Sequence, residues 1–160
     1  MSMRPSPSKL SEKSRDKIAQ ALNEILADGL DLHSHIKVAH WNIKGPQFGA
    51  LHPLFETFAV GLAIHNDDIA ERAVTLGALA AGTARHVAKS SRLAEYPAQT
   101  TRDMQHAQLL AERFETYLGG VRAARALALK HGDDDTVDLL TAVVREFEKN
   151  GWMLRATLEG

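Results

Sequence analysis

The stretch from Ala50 to Leu79 carries apolar side chains on two opposite faces when it is drawn as an α-helix. The larger ones share one face: Leu51, Phe55, Phe58, Leu62, Ile69 and Leu76. The other face has apolar residues between its polar ones: Val60, Ala63, Ile64, Ala70 and Val74. A helix that is apolar on both faces is buried on both, so we expect one face to meet the chain's own core and the other to meet a second subunit.

Four possible metal ligands, His52, Glu56, Asp67 and Glu71, lie on the second face within roughly 100° of arc. Imidazole and carboxylate together are the ligand mix expected for iron or zinc. Glu56 and Asp67 are separated by about 16 Å along the helix, at about 1.5 Å per residue, which is too far for one ion to bridge. Two antiparallel copies related by a twofold axis would bring His52 and Glu56 of one chain against Asp67 and Glu71 of the other. The spacing therefore predicts a metal site shared by two subunits.

Several segments resemble the Dps family of mini-ferritins, in order and in spacing: H-W-N-I-K-G-P-Q-F, L-H-P-L-F-E, D-D-I-A-E-R-A-V-T-L-G and D-D-D-T-V-D-L-L-T. The resemblance covers nearly the whole chain. It implies a ferroxidase centre between twofold-related subunits, with these catalytic and iron-binding residues: His40, His52, Glu56, Asp67 and Glu71. The family commonly has Asp where this chain has Glu56, which keeps the carboxylate on a longer side chain.

Each of these residues is also compatible with an ordinary structural role. His40 lies near the edge of the apolar face of its predicted helix, where a hydrogen-bonded core histidine is common. Asp67 and Glu71 are compatible with a solvated helix face. His65 falls on the core side and is interpreted as structural, and no partner is predicted for the remaining five histidines, His33, His35, His86, His106 and His131. The prediction of a metal site depends on the set of five ligands and not on any one of them.

Length and composition predict one all-α domain that is free of cysteine chemistry. The chain has 160 residues, of which 44% are apolar, and Gly and Pro are scarce inside the periodic stretches. The absence of Cys excludes disulfides, thiolate zinc sites and iron–sulfur clusters. With no signal peptide and no apolar run long enough to span a bilayer, we expect a soluble, cytoplasmic protein without a membrane partner.

Helical periodicity and stop signals predict four long helices, over residues 14–42, 50–79, from a cap at Thr100 or Thr101 to 130, and from Asp133 to 158. Gly45 is the expected C-cap of the first helix, and Pro53 is expected in the first turn of the second. A short helix is expected in the crossover between the second and third helices. This pattern predicts a ferritin-like four-helix bundle over residues 14–160, which the resemblance places in a hollow dodecameric shell. The chain contains no Glu-x-x-His motif, which favours a site between subunits over one inside the bundle.

Residues 1–13 are rich in Ser and Pro and predict a flexible basic arm. Some Dps proteins bind DNA through such a tail, and the candidate contacts here are Arg4, Lys9, Lys13 and Arg15. Repeated on every subunit, weak phosphate contacts would add up to salt-sensitive binding, although short basic termini are often merely solvated. The overall net charge of −1 gives nucleic-acid binding no general support.

An acidic segment opens the last predicted helix: Asp133, Asp134, Asp135 and Asp138. Acidic residues there cap a helix N-terminus and complement its dipole. The resemblance also implies a place near threefold pores through which iron enters, and the two roles are compatible.

The expected function is therefore that of an iron-storage ferroxidase. It would oxidise Fe(II), preferably with hydrogen peroxide and otherwise with oxygen, store the ferric mineral and protect DNA from oxidative damage. A second possibility is a DNA-compacting, nucleoid-associated architectural protein with a weak or structural metal site. A third is a helical bundle that binds no metal.

Overall fold

The computed structural model describes residues 3–159 and consists of five helices: α1 (Glu12–Asn42), α2 (Phe48–Thr75), α3 (Ala84–Ser90), α4 (Asp103–Lys130) and α5 (Asp134–Leu158). Over these residues the β-structure is limited to one isolated bridge between Lys44 and Arg102. None of the described helices is long and apolar enough to cross a membrane. The all-α prediction and the short crossover helix are confirmed.

Two antiparallel helix pairs form the bundle. A short turn joins α1 to α2, another joins α4 to α5, and α1 also packs against α4 while α3 lies on α1. All six large apolar residues predicted for the core face of α2 are at most 1% exposed. At the centre, the ring of Phe114 makes edge contacts with Phe58 at 5.5 Å and with Phe147 at 5.1 Å between centroids. Burial of this kind provides most of the helical stability.

The turn between α1 and α2 differs in detail from the prediction. The helix α1 ends at Asn42, with extended Ile43 as its C-cap, so Gly45 is not the cap. Gly45 instead has φ 141°, and an added Cβ would lie 2.3 Å from Oδ2 of Asp103. That carboxylate accepts a hydrogen bond from the Gln47 N–H at 2.7 Å. The glycine is needed because the start of α4 packs directly against this turn.

Other helix ends also differ from the predictions. Ser11 caps α1, so that the helix begins inside the predicted arm, and its Oγ accepts from the Ser14 N–H at 3.2 Å. The helix α2 is shifted toward the N-terminus, which places Pro53 in its second turn and not its first. The cap of α4 is Arg102, without a side-chain capping bond, because the Thr101 carbonyl accepts from the Lys44 N–H at 2.7 Å. Long-range pairing thus overrides the local capping preference of threonine.

The crossover is held against α1 by a buried carboxylate. Asp28 is fully buried and accepts hydrogen bonds from the backbone N–H of Arg92 at 2.8 Å and from its Nε at 2.9 Å. Ser91 donates to Asp31 at 2.6 Å, and Arg113 donates to two carbonyls of the loop after α3. These contacts hold the crossover, which has regular structure only in α3, against α1 and α4.

Candidate metal centre

The α1–α2 turn brings two predicted ligands into direct contact. The rings of His40 and His52 stack with centroids 3.8 Å apart. The Nδ1 of His40 lies 2.8 Å from the His52 carbonyl oxygen, and the Nδ1 of His52 lies 2.9 Å from the His40 carbonyl oxygen. The His40 carbonyl is free to accept because the Lys44 N–H, its expected helical partner, pairs with Thr101.

These reciprocal hydrogen bonds determine which ring nitrogens can bind a metal. A carbonyl oxygen only accepts, so each Nδ1 carries the proton of the neutral ring. In the neutral form of each ring the lone pair is therefore on Nε2, as in metal-binding histidines oriented by a backbone carbonyl. The pair is therefore preorganised for metal binding.

Glu56 is the third residue at this position. Its Oε2 lies 3.5 Å from Nε2 of His40 and also accepts a hydrogen bond from the ammonium group of Lys37. That hydrogen bond is the main cause that lowers the pKa of Glu56, and burial opposes it only in part. The carboxylate is therefore ionised at neutral pH. His40, His52 and Glu56 line one surface cleft of about 490 Å³.

Lys37 is a residue of this site that the sequence analysis missed. It lies three residues before His40 on the same face of α1, and its Nζ is 5.8 Å from the centre of the Trp41 ring. The signal was present, because a lysine one turn before a ligand points to the same surface. The ammonium group of Lys37 thus bonds the Glu56 carboxylate that a metal ion would need as a ligand.

Asp67 and Glu71 do not reach this cluster within one chain. Both are exposed, further along α2, and between the two groups Val60 and Ile64 are 54% and 60% exposed. Among residues 3–159 of one chain, no group of three or more His, Cys, Asp or Glu side chains is arranged to hold a metal ion. The structure thus brings three of the five predicted ligands together in one cleft and leaves two apart.

The four aspartates at the start of α5 lie in different environments. Asp133 is 4% exposed, and its carboxylate accepts from the Thr136 N–H at 3.3 Å and from Arg72 at 2.6 Å, so the predicted capping role is confirmed for it. Asp134, Asp135 and Asp138 are exposed. The pore role stays a prediction for all four, and these three have the carboxylates accessible to solvent.

The four candidate DNA contacts are also in different environments. Arg4, Lys9 and Lys13 are exposed, while Arg15 is partly buried and donates to the carbonyls of Arg4 and Leu76. Their role toward DNA stays a prediction.

Three other histidines have partners that the sequence analysis did not assign. His35 lies 3.3 Å from Asp31, a pairing between residues four apart that the sequence could have shown. His106 is hydrogen-bonded to the Tyr96 hydroxyl at 2.6 Å, and His65 to Glu146 at 2.8 Å. Burial lowers the pKa of His35 and His106, so both are neutral at physiological pH. These contacts hold helices and crossover together and lie outside the candidate site.

Comparison with known proteins agrees with this architecture. The sequence model of the family described as "Ferritin-like domain" matches residues 19–160 of this chain. The "DNA protection during starvation protein" of Agrobacterium fabrum is 37% identical over 150 residues, which cover 94% of this chain and 93% of that protein. The "DNA protection during starvation protein 2" of Bacillus anthracis is 33% identical, and the match covers 89% of this chain and 97% of that protein.

Solved structures show the same relation. A Dps protein from Vibrio cholerae, described as a member of the ferritin-like diiron-carboxylate superfamily, has a TM-score of 0.89 and 32% identity, covering 93% of both chains. DpsC from Streptomyces coelicolor has a TM-score of 0.93 and 33% identity, covering 98% of this chain and 92% of its own. The predicted four-helix bundle is confirmed, and the expected dodecameric shell is consistent with these neighbours. The chain therefore belongs to the Dps family of ferritin-like proteins.

Proposed function

We propose that this protein oxidises Fe(II) at sites shared by twofold-related subunits and stores the ferric product as mineral inside a dodecameric shell. The proposal depends on one observation above all. The pair His40 and His52 engages both Nδ1 atoms with backbone carbonyls, and the two rings line a surface cleft that also contains the ionised carboxylate of Glu56. Three such donors are an incomplete site for iron, to which carboxylates of a second subunit can be added.

The second half of the site is provided in this proposal by Asp67 and Glu71 of the neighbouring subunit. Both carboxylates are exposed on the same helix as His52 and Glu56. Exposed Val60 and Ile64 lie between the two halves and give an antiparallel partner helix an apolar surface to cover. An antiparallel pairing that joins His52 with the partner's Glu71 also joins Glu56 with the partner's Asp67, because both pairs have the same midpoint along α2.

Iron is the substrate of this reaction. Each Fe(II) gives up one electron, and the two electrons from a pair of irons cleave the O–O bond of one hydrogen peroxide molecule. Water completes the hydrated ferric oxide and releases protons. The carboxylates stabilise the higher charge of Fe(III), and the neutral histidines bind without adding positive charge. With oxygen as the alternative oxidant the same residues would act. Consumption of Fe(II) and peroxide together would protect DNA, because these two reactants generate hydroxyl radicals.

A second candidate function is DNA compaction with a weak or structural metal site. The exposed Arg4, Lys9 and Lys13 favour it, since three cations on each subunit would be multiplied across a shell. A DNA gel shift at several salt concentrations, with and without residues 1–13, distinguishes the two. Loss of salt-sensitive binding on truncation, together with no ferroxidase activity, would favour compaction as the main function.

The direct test is anaerobic loading with Fe(II) followed by a pulse of hydrogen peroxide, with ferric absorbance and consumed peroxide as readouts. The wild type is expected to oxidise iron far faster than buffer, and the His52→Ala, Asp67→Ala double variant to fall to the buffer rate. A matched control is His86→Ala, which removes an exposed histidine on α3 and should retain the wild-type rate. Wild-type oxidation no faster than buffer would refute the proposed activity.

Replacement of Lys37 by Met is expected to tighten metal binding. The variant frees Glu56 from its ammonium partner and removes one positive charge from the cleft. We therefore expect the affinity for Fe(II) to rise by a factor of a few. Anaerobic titration calorimetry with Fe(II) measures the change, and Lys89→Met on the exposed face of α3 is the control of equal charge. Equal affinities of Lys37→Met and wild type would show that the lysine does not compete with iron.

A further inference from the structure

The segment that enters α4 is hydrogen-bonded to the turn that joins α1 to α2. The Lys44 N–H donates to the Thr101 carbonyl at 2.7 Å, and the Lys44 carbonyl accepts from the Asp103 N–H at 3.0 Å. The Gln47 N–H donates to Oδ2 of Asp103 at 2.7 Å. We call these three hydrogen bonds the turn clamp. They join two segments that lie far apart in the chain.

Asp103 provides the only side chain of the turn clamp. It is 5% exposed, and its second carboxylate oxygen, Oδ1, accepts from the Met104 N–H at 2.8 Å. The hydrogen bond from the Gln47 N–H is the main cause that lowers the pKa of Asp103, and burial opposes it in part. The carboxylate is therefore ionised at neutral pH, and a charged acceptor strengthens both hydrogen bonds. Gly45 has no Cβ, which allows Oδ2 to lie this close to the turn.

The turn clamp determines which donor the His40 carbonyl receives. In a continued α-helix the Lys44 N–H would donate to that carbonyl, four residues earlier. The clamp pairs the Lys44 N–H with Thr101, and the His40 carbonyl is bonded instead to Nδ1 of His52 at 2.9 Å. One of the two hydrogen bonds of the histidine pair therefore depends on a contact with the segment before α4.

The turn clamp also fixes the start of α2. Gln47 is the N-cap of that helix, and its carbonyl accepts from the Leu51 N–H at 2.9 Å. His52 follows directly, and its carbonyl oxygen lies 2.8 Å from Nδ1 of His40. The bond from the Gln47 N–H to Asp103 thus holds the first turn of the helix segment that carries His52. Both reciprocal hydrogen bonds of the pair depend on the position of this turn.

We propose that Asp103 is a positioning residue of the metal centre, which holds the α1–α2 turn where His40 and His52 bond each other's carbonyls through Nδ1 and keep Nε2 for a metal ion. Asp103 is not itself a ligand, since its carboxylate bonds backbone N–H groups. Without it, the Lys44 N–H can return to the His40 carbonyl, and Nδ1 of His52 loses its acceptor. Either ring nitrogen of His52 then carries the proton, which lowers the fraction of chains that are competent to bind a metal. This inference rests on the proposed function and adds a residue outside the predicted ligand set.

Three substitutions of Asp103 distinguish positioning from attraction of the metal ion by the carboxylate charge. Asp103→Ala removes the charge and the acceptor, whereas Asp103→Asn removes the charge and keeps an oxygen that can accept from the Gln47 N–H. Asp103→Ser keeps a hydroxyl at the start of α4 but is one atom too short for Gln47, so it breaks the contact with the turn and spares the helix end. Attraction alone predicts equal losses of affinity for all three.

Positioning predicts a different order of affinities. Loss of a group that orients a metal-binding histidine costs about 10–100-fold in metal affinity, and Asp103 acts one step further from the metal. We therefore expect Asp103→Ala and Asp103→Ser to bind Co(II) about three- to tenfold more weakly than wild type, and Asp103→Asn to stay within about twofold. In Fe(II) oxidation, Asp103→Ala should raise KM by the same factor as the Co(II) dissociation constant and change kcat little.

The measurement is anaerobic titration calorimetry of the assembled, full-length protein with Co(II), which accepts imidazole and carboxylate ligands as iron does. Asp31→Ala is the control of equal charge. It removes another carboxylate that joins distant segments, through the Ser91 hydroxyl at 2.6 Å, and should bind Co(II) like wild type. Size-exclusion elution and urea unfolding show whether each variant is assembled and folded.

The possible results separate the inference from the ferroxidase proposal. Wild-type affinity for Co(II) in Asp103→Ala and Asp103→Ser would overturn the inference. So would an Asp103→Asn affinity as low as that of Asp103→Ala, because the charge alone would then explain the loss, or an equal loss in Asp31→Ala. A wild type that binds Co(II) without oxidising Fe(II) would contradict only the ferroxidase proposal, and the Co(II) affinities would still decide the role of Asp103.

Discussion

Shells assembled from equal amounts of His52→Ala and Asp67→Ala chains are expected to regain roughly a quarter of the wild-type rate of Fe(II) oxidation, although each variant alone is inactive. The reason is the arrangement of the proposed site. In a mixed pair, one site combines both substitutions, and the other combines an intact His52 with an intact Asp67. Random pairing makes about half of the pairs mixed, and each mixed pair has one working site of two. Co-expression with two affinity tags, followed by the peroxide pulse, measures the recovery.

The control mixes His52→Ala chains with chains that carry both substitutions. No pairing then provides an intact site, so activity should stay at the buffer level. Single-variant shells mixed only after assembly should also stay inactive. If the complete site lay within one chain, co-expression of the two single variants would restore nothing, and the shared-site proposal would fail.

Replacement of Arg92 by Met is expected to destabilise the protein by about 2–3 kcal/mol. Asp28 has a 1% exposed side chain, and it would lose its cationic partner while remaining buried. Loss of one partner of a buried ion pair costs about 3–5 kcal/mol, and the half-exposed position of Arg92 reduces this because water can approach. Urea unfolding at one fixed protein concentration measures the change.

A surface ion pair provides the matched control. The side chains of Arg122 and Arg92 are both 46% exposed. Arg122 bonds Glu148 at 2.7 Å, and the side chain of Glu148 is 53% exposed, unlike that of Asp28. Arg122→Met should therefore cost less than about 1 kcal/mol. The double variant Asp28→Asn, Arg92→Met should recover part of the loss, because no buried charge remains uncompensated. Equal effects of the Arg92 and Arg122 substitutions would show that the burial of Asp28 does not matter.

Periodicity was a reliable guide to the fold because it depends on residues close together in the chain. The apolar stripe from Leu51 to Leu76 predicted the core face of α2, and all of its members are buried. The Gly45–Pro46 turn predicted that the first helix stops at residue 42, and α1 ends at Asn42. The helix caps were less predictable. Thr101 has the right chemistry to cap α4, but its carbonyl pairs with Lys44 and the cap falls on Arg102.

The candidate site was predictable in its residues and not in its contacts. The spacing of His52, Glu56, Asp67 and Glu71 on one helix face needs only the geometry of an α-helix. The reciprocal hydrogen bonds of His40 and His52 need a carbonyl that long-range pairing of Lys44 leaves free. A local pattern cannot show this, because the partner Thr101 is more than fifty residues away.

The sequence by itself therefore determined an all-α bundle, the division of the ligands into two groups on α2, and the chain's resemblance to the Dps family. These follow from helical periodicity and short motifs, which are local. Only the tertiary structure decided that Lys37 bonds Glu56, that Asp28 holds the crossover through Arg92, and that Asp103 bonds the turn between α1 and α2. Each of these contacts joins groups that only the packing of separate segments brings within hydrogen-bond distance.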